Sequence, residues 1–329
     1  MKKTLDNKDI LEKKCKICNS YSLRMKYHRI REGHELIPCD VLECVTCGLV
    51  FLGIDCKQEE LLTYYKEGHF RDKYLPNLKD EESKNADIFF KLKQPLQEKR
   101  YEILKDIFNK KMDVLDVGCA TAGFLNILKK KVRRVKGIEL YLPHVKFVQN
   151  TFNIEIEMKD ITGLQGEKFD TICIFHVLEH VAEPLDFMKE IFIRIKDKGI
   201  VVIEVPNVED ALISIFDVTA YKDFHFMKPH LFYYSNNSLE FLLKKAGFKN
   251  IEFRSYQHYG IINHMNWILT GKTASATKIS GAGVQIPLTH MEEPKLDVVN
   301  EFFEEMNKKY KDFLEAKENA DTLLAIAKK

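Results

Sequence analysis

The run Val114 to Leu125 (VLDVGCATAGFL) holds the residue types that a sheet edge needs to grip an adenosine-bearing cofactor. Val114, Leu115 and Val117 make a short apolar strand, and Asp116 falls at its carboxyl end, the side on which open α/β sheets hold ligands. Gly118 and Gly123 permit close backbone approach, and the helix through Phe124, Leu125, Ile127 and Leu128 points its free N–H groups at the same space. About twenty residues further on, Val135 to Leu140 (VKGIEL) predicts a second strand ending in Glu139, placed to accept hydrogen bonds from two ribose hydroxyls. A nicotinamide-dependent dehydrogenase shares this architecture but requires G-x-G-x-x-G, whereas the chain from Gly118 reads G-C-A-T-A-G.

A third strand, Ile154 to Met158, precedes Asp160 and Ile161, and a fourth, Phe169 to Phe175, runs directly into HVLEHV. The segments VLDVGCATAGFL, GIEL, KDI, FDTICIFHVLEHVAEPLDFMKEI and GIVVIEVPN follow in order between Pro95 and Asn207. On these motifs the chain resembles the class I S-adenosylmethionine-dependent methyltransferases. The resemblance implies an α/β fold with a Rossmann-like, mostly parallel seven-stranded sheet whose last strand is antiparallel. It also implies S-adenosylmethionine contacts from Asp116, Gly118, Cys119, Ala120, Gly123 and Phe124, from Glu139 and Leu140, from Asp160 and Ile161, and from His176. Ala120 and Ala122 stand where the family usually has glycine, and a positive φ at either costs about 1 kcal/mol relative to glycine.

Four of the eight cysteines form two C-x-x-C pairs, Cys15 and Cys18 in CKIC and Cys44 and Cys47 in CVTCG. Each such turn aims two thiolates at one point, and two turns complete the tetrahedral shell of a structural Zn²⁺. The intervening residues suit a β-hairpin from Leu23 to Leu42, and metal binding supplies on the order of 10 kcal/mol or more to a segment too small to fold alone. A redox role fits less well, because neither pair sits between a strand and a helix. Cys39 and Cys56 have no partner at this spacing, and Cys119 and Cys173 fall in apolar surroundings that favour packing.

Composition narrows the partners. With 329 residues and 45% apolar content, the chain accommodates one large α/β domain plus additions. The net charge of +2, from 51 basic and 49 acidic side chains, gives no bias toward nucleic acid or an anionic membrane, and neither is expected as a partner. No apolar run approaches the roughly 18 residues of a membrane span, and no signal-peptide core is evident, so the expected location is cytoplasmic.

The expected layout is a zinc-binding module over 1–60, a helical connector over 61–94 that caps the pocket, and a methyltransferase domain over 95–329. Pro95 to Phe108 is expected to form an amphipathic helix, Pro184 to Ile195 a helix, and Gly199 to Glu204 a strand. Ser235 or Asn237 caps a helix that Gly247 ends, before a strand from Phe248 to Tyr256. The chain closes with the apolar strand Asp321 to Lys329. An insertion over about 257–320, with a Gly/Ser/Thr-rich patch from Thr270 to Gly283 and a charged helix from Val298 to Lys317, is expected to serve substrate binding or assembly.

Methyl transfer from a sulfonium is an in-line displacement, so positioning supplies roughly 7 to 11 kcal/mol and a base is needed only where the acceptor holds its proton tightly. His176 and His180 follow the fourth strand, where the methyl would lie. His225 and His230 fall in FHFMKPHLFYYS, where similar sugar methyltransferases carry Tyr-x-x-His as acid/base residues. His230 matches that histidine, while Met227 occupies the tyrosine position. The catalytic candidates are therefore His230, His225 and His180, with Asn207 either orienting an acceptor or closing a turn. Together with the cysteine pairs, these motifs resemble zinc-containing bacterial methyltransferases of sugar and natural-product pathways. The expected acceptor is a small molecule such as a nucleotide-linked sugar or surface-glycan precursor. An RNA or protein methyltransferase, and an inactive cofactor-binding docking protein, remain the alternatives.

Overall fold

The computed structural model describes residues 13–74, 85–164, 166–272 and 293–329. Their strands are β1 (Leu23–Glu32), β2 (Glu35–Cys44), β3 (Val50–Leu52), β4 (Asp113–Val117), β5 (Arg134–Ile138), β6 (Glu155–Glu157), β7 (Phe169–Phe175), β8 (Ile195–Pro206), β9 (Phe232–Tyr233), β10 (Lys249–Tyr256) and β11 (Thr322–Lys328). Seven of them form one sheet in the order β10-β11-β8-β7-β4-β5-β6. The pairs from β6 through β8 are parallel, and β11 runs antiparallel to both its neighbours. Every residue of β4 is buried, as strands covered by helices on both faces must be. The chain extends the sheet outward from β4 to β6 and then returns to add β7 on the other side. The crevice over the carboxyl ends of β4 and β7 is therefore the switch point at which such sheets bind ligands.

The helix before β4 differs from expectation, running Ala86–Leu104 rather than starting at Pro95. Its true start is Asn85, whose side chain accepts the N–H groups of Asp87 and Ile88 at 3.1 and 3.3 Å. Proline favours the first helical position, which is why Pro95 reads as a beginning. In the interior it forfeits one backbone bond, and packing on the helix Gly123–Leu128 holds the turn together. Gly123 makes that contact close: a Cβ there would meet Gln97 Cγ at 3.0 Å and Gln94 Oε1 at 3.4 Å. Further along, Ser235 and Ser238 cap the helix Asn236–Ala246 reciprocally, and Gly247 closes it at φ 107°. The insertion contains the helix Ile261–Thr270, which lacks a side-chain cap and was not anticipated, and the helix Glu293–Ala316. Most of the Thr270 to Gly283 patch lies outside the described residues.

The second sheet is antiparallel, in the order β1-β2-β3-β9. Its fourth strand comes from residues 232–233, beyond β8, so the cysteine-bearing hairpin is completed by the larger domain. The loop leading into β9 is sewn to both sheets. Arg31 N–H donates to Phe226 O at 2.8 Å, Lys228 N–H to Arg31 O at 2.9 Å, and Leu231 N–H to Glu179 O at 2.8 Å. Tyr233, fully buried, fixes the loop from within: its hydroxyl accepts Met227 N–H at 2.7 Å and donates to Met227 O at 3.2 Å. Tyr233→Phe strands a buried N–H and is expected to lower unfolding stability by about 1–3 kcal/mol. Equilibrium denaturation of the folded variant tests this, and an unchanged midpoint would mean that the loop is held by other contacts.

Candidate active site

At the end of β4 the chain turns through Gly118 (φ 72°), Ala120 (φ 47°) and Ala122 (φ 55°) before entering the helix Gly123–Leu128. Gly118 is required twice over, because a Cβ would also meet Val177 Cγ2 at 2.6 Å. Both alanines occupy the left-handed region, so each carries strain of roughly 1–2 kcal/mol. The turn is tied down by Glu139. One carboxylate oxygen accepts Ala120 N–H at 2.8 Å, and the other accepts Leu140 and Tyr141 N–H at 2.7 and 2.9 Å. Asp160 closes the third strand's loop in the same manner, accepting from Thr162 and Gly163 N–H at 3.0 and 3.2 Å.

Above this edge lies a cavity of about 930 Å³. Asp116, Gly118, Cys119, Ala120, Glu139, Leu140, Asp160 and Ile161 line it from the loops after β4, β5 and β6, and His176, Glu179, His180 and His230 from the loops after β7 and before β9. The helices Gln58–Lys66, His69–Tyr74 and Ala86–Leu104 roof it with Leu61, Tyr65, Phe70, Arg71, Phe89 and Lys93. Gly123 and Phe124, expected at the cofactor, are not on its wall. They stand behind the turn, where Phe124 packs edge-on to Phe175 at 4.9 Å.

Electrostatics divide the cavity floor. Asp116 is 3% exposed, and burial, with Glu139 and Glu204 adding to it against Arg100, pushes its carboxyl group up to about 8. Glu204, wholly buried, is shared between Arg100 (Nε to Oε2, 2.7 Å) and His176 (Nε2 to Oε1, 2.9 Å). Burial opposes its charge, but Arg100 and His176 together hold it well below the usual carboxylate range. Burial likewise opposes charging His176, while Glu179 and Glu204 on its two nitrogens raise it to about 9. A ring bonded to carboxylates through both nitrogens is an imidazolium and cannot accept a proton. His176 also takes a left-handed backbone, φ 54°.

The other histidines separate. His180 Nδ1 lies 2.8 Å from Pro229 O and 2.7 Å from the Tyr65 hydroxyl, and burial lowers its pKa. His230 stacks edge-on to His180 with centroids 4.8 Å apart, and burial beside positive neighbours depresses it further. His225 does not line the cavity: it packs among Tyr221, Phe226 and Tyr233, and burial takes it to about 4. The structure therefore separates His225 from the cavity-lining histidines His176, His180 and His230. Asn207 closes a turn, donating to Glu318 O and Ala320 O at 3.0 and 2.8 Å. The sequence reading missed Arg100, Glu179, Arg71 and Lys93; the HVLEHV motif contained Glu179, but nothing local marked the helical cations.

At the far end of the second sheet, Cys15, Cys18, Cys44 and Cys47 bring their sulfurs together, with Cys15 to Cys47 at 3.5 Å and Cys18 to Cys44 at 3.4 Å. The two turns repeat each other. Asn19 N–H donates to Cys15 O and Gly48 N–H to Cys44 O, while Cys15 and Cys44 N–H reach Ser20 O and Leu49 O. Asn19 and Gly48 both take positive φ, 62° and 74°. Four sulfurs around one ion, each about 2.3 Å from it, stand roughly 3.8 Å apart, so this set fits a tetrahedral metal with little movement.

A seven-stranded sheet of this order, with its one reversed strand and an acid-tied glycine turn at the switch point, defines the class I methyltransferase fold. The sequence model of the methyltransferase domain family matches residues 91–252 of the chain. A tRNA U34 carboxymethyltransferase of Nautilia profundicola is 28% identical over 165 residues, which are 47% of this chain and 53% of that protein; the chain thus spans about half the length of this curated relative. Among solved structures, an S-adenosylmethionine-dependent methyltransferase of Archaeoglobus fulgidus is 20% identical, with 72% of this chain and 94% of that one covered at a TM-score of 0.46. One from Thermotoga maritima is 13% identical, with 81% and 99% covered at a TM-score of 0.48.

The strain at Ala120 is testable. Ala120→Gly removes roughly 1–2 kcal/mol of left-handed cost and returns about 0.4–1 kcal/mol through the freer unfolded chain, so a net gain of several tenths of a kcal/mol is expected. Thermal melts with and without S-adenosylhomocysteine check this, and a clear loss of stability would show that the turn does not hold Ala120 in this conformation.

Proposed function

We propose that the chain methylates a small acceptor, a nucleotide-linked sugar or surface-glycan precursor, within the single chamber that joins Glu139 to His230. The observation that carries this reading is the continuity of the cavity: the cofactor edge and the acceptor-facing histidines line one space under the same three helices. When bound, S-adenosylmethionine supplies an electrophilic methyl group on a sulfonium. Asp116 fits such a ligand, since it is buried at the cavity edge and its carboxyl group makes no hydrogen bond among the described residues. Glu139, with three backbone donors already on about four lone-pair positions, keeps room for a ribose hydroxyl. Gly118, Cys119, Ala120, Leu140, Asp160 and Ile161 complete the cofactor end. His180 and His230 hold the acceptor's reacting group at the other.

Arg71 and Lys93 support an anionic acceptor. Both line the cavity, and among the described residues neither has an ion-pair partner, Arg71 instead lying over Phe89 and Tyr141 at 5.0 and 4.8 Å. Cations left in this way, beside aromatic faces, suit a phosphate-bearing nucleotide. The tRNA-modifying relative favours a second reading, an RNA acceptor. Zn²⁺ held by Cys15, Cys18, Cys44 and Cys47 serves as a structural brace for the sheet that carries β9.

Calorimetry and methyl-release assays test the reading. Wild-type protein is expected to bind S-adenosylmethionine, with Glu139→Ala weakening it about tenfold or more, equivalent to roughly 1.4 kcal/mol. Arg71→Met and Lys93→Met should raise KM for a sugar nucleotide more than they change kcat. Turnover on RNA transcripts and none on sugar nucleotides would replace the acceptor, whereas no cofactor binding would remove the methyl-transfer reading altogether. For the metal, Cys15→Ser and Cys44→Ser should each lose one zinc per chain by elemental analysis and melt earlier; full retention in both would refute the four-cysteine site.

A further inference from the structure

At the histidine end of the cavity, acceptor atoms converge with no donor between them. Glu179 Oε2 and His230 Nδ1 are buried and have no hydrogen-bond partner among the described residues. Glu179 is 1% exposed, so an unpaired carboxylate oxygen there carries a heavy desolvation cost. His180 Nδ1 is 2.8 Å from the Pro229 carbonyl, which can only accept, so that nitrogen carries the ring proton and Nε2 presents a lone pair. One ligand atom from each of these three side chains lies within 4.8 Å of the others.

One carboxylate and two imidazoles on one side of a cavity are the donor set of a facial metal triad, which leaves further coordination positions open. Their surroundings fit as well. His176 holds Glu179 Oε1 at 3.2 Å, and the Pro229 carbonyl holds the distal nitrogen of His180, the outer bonds that orient metal ligands. Ligands about 2.0–2.2 Å from one ion stand roughly 3–4 Å apart, a contraction that side-chain rotation supplies. The acidic cluster Glu155, Glu157 and Glu167 is different in kind, because Lys136 already pairs with all three of its members.

We propose that Glu179, His180 and His230 bind one divalent cation that prefers imidazole and carboxylate, such as manganese, iron(II), cobalt or zinc. The site is separate from the four cysteines, and its open positions take two adjacent oxygens of the acceptor. The inference rests on the methyl-transfer reading of the cavity and narrows it to O-methylation of an acceptor with paired oxygens, a vicinal diol or hydroxy acid. The cation-bound hydroxyl releases its proton to solvent and its oxygen bonds to the methyl carbon, while the carbon–sulfur electron pair returns to sulfur. In this arrangement His230 is a ligand and not a base.

Zinc-replete full-length protein titrated with Mn²⁺ and followed by electron paramagnetic resonance tests the site. The expected result is one tightly bound Mn²⁺ per chain with pulsed-resonance nitrogen couplings from two imidazoles. Glu179→Gln and His230→Gln, if folded by circular dichroism, should weaken binding by more than the roughly 10–100-fold of a lost outer partner. Absence of imidazole coupling in the wild type, or unchanged affinity in the folded variants, overturns the cation site. Failure of the wild type to bind S-adenosylhomocysteine in parallel calorimetry instead overturns the methyl-transfer reading on which it rests.

Discussion

The carboxylate of Glu204 is the constraint around which the active end is organised. It lies wholly buried at the carboxyl end of β8, where a lone charge would cost several kcal/mol, and it is kept ionised by being divided between Arg100 and His176. Arg100 comes from the roof helix Ala86–Leu104, so the ion pair fastens that helix onto the sheet and closes the chamber from above. His176 comes from the loop after β7, so the same carboxylate also fixes the start of the HVLEHV segment. His176 then passes the constraint to Glu179 through its other nitrogen. Roof, floor and cavity-lining side chains are thus held by one chain of charged hydrogen bonds, and loss of Glu204 leaves the buried Arg100 guanidinium without its carboxylate.

A second coupling runs between the cysteine hairpin and the chemistry. The four cysteines stand at one end of a sheet whose last strand, β9, is the continuation of the loop carrying His230. A backbone bond from Leu231 to the carbonyl of Glu179 then ties that loop to the HVLEHV segment. Order at the cysteine end is therefore converted, through β3 and β9, into the position of a cavity side chain. This gives the small cysteine-bearing hairpin a direct physical connection to the cavity of the larger domain.

Much of this was legible in the chain. The strand run from Val114, the acid at Glu139, the ends of β7 and the capping serine at 235 all follow from apolar periodicity and turn chemistry, which are local. The two cysteine turns were legible because each carries the C-x-x-C spacing, and the structure adds that the fifth residue of each, Asn19 and Gly48, is left-handed. What the sequence hid was long-range. Nothing near Arg100 marks it as the partner of Glu204, because the pair is 104 positions apart and exists only once the helix lies on the sheet. Pro95 misled for a physical reason: the same ring that favours a first helical position is tolerated in an interior whose packing compensates. His225 and His230 look equivalent in FHFMKPHLFYYS, and only the end of the helix Thr219–His225 turns one inward and the other toward the cavity.

Positive φ at non-glycine residues clusters where the ligand would lie. Ala120, Ala122 and His176 are three of the eight such residues described, and all three fall on the two loops that flank the switch point. Strain of this kind persists only where the surroundings over-determine it. At Ala120 the determinant is the Glu139 carboxylate on its N–H, and at His176 it is the pair of carboxylates on its ring. Glu139 and Glu179 also line the cavity, whereas Glu204 lies buried behind it, so part of what holds the backbone in its costly form is open to a ligand. A ligand hydroxyl that reached Glu139 without releasing Ala120 would be confined to the lone pair the turn leaves free. The tightness of the turn and the selectivity of the pocket are in this sense one property, set by alanine where a more permissive glycine would have separated them.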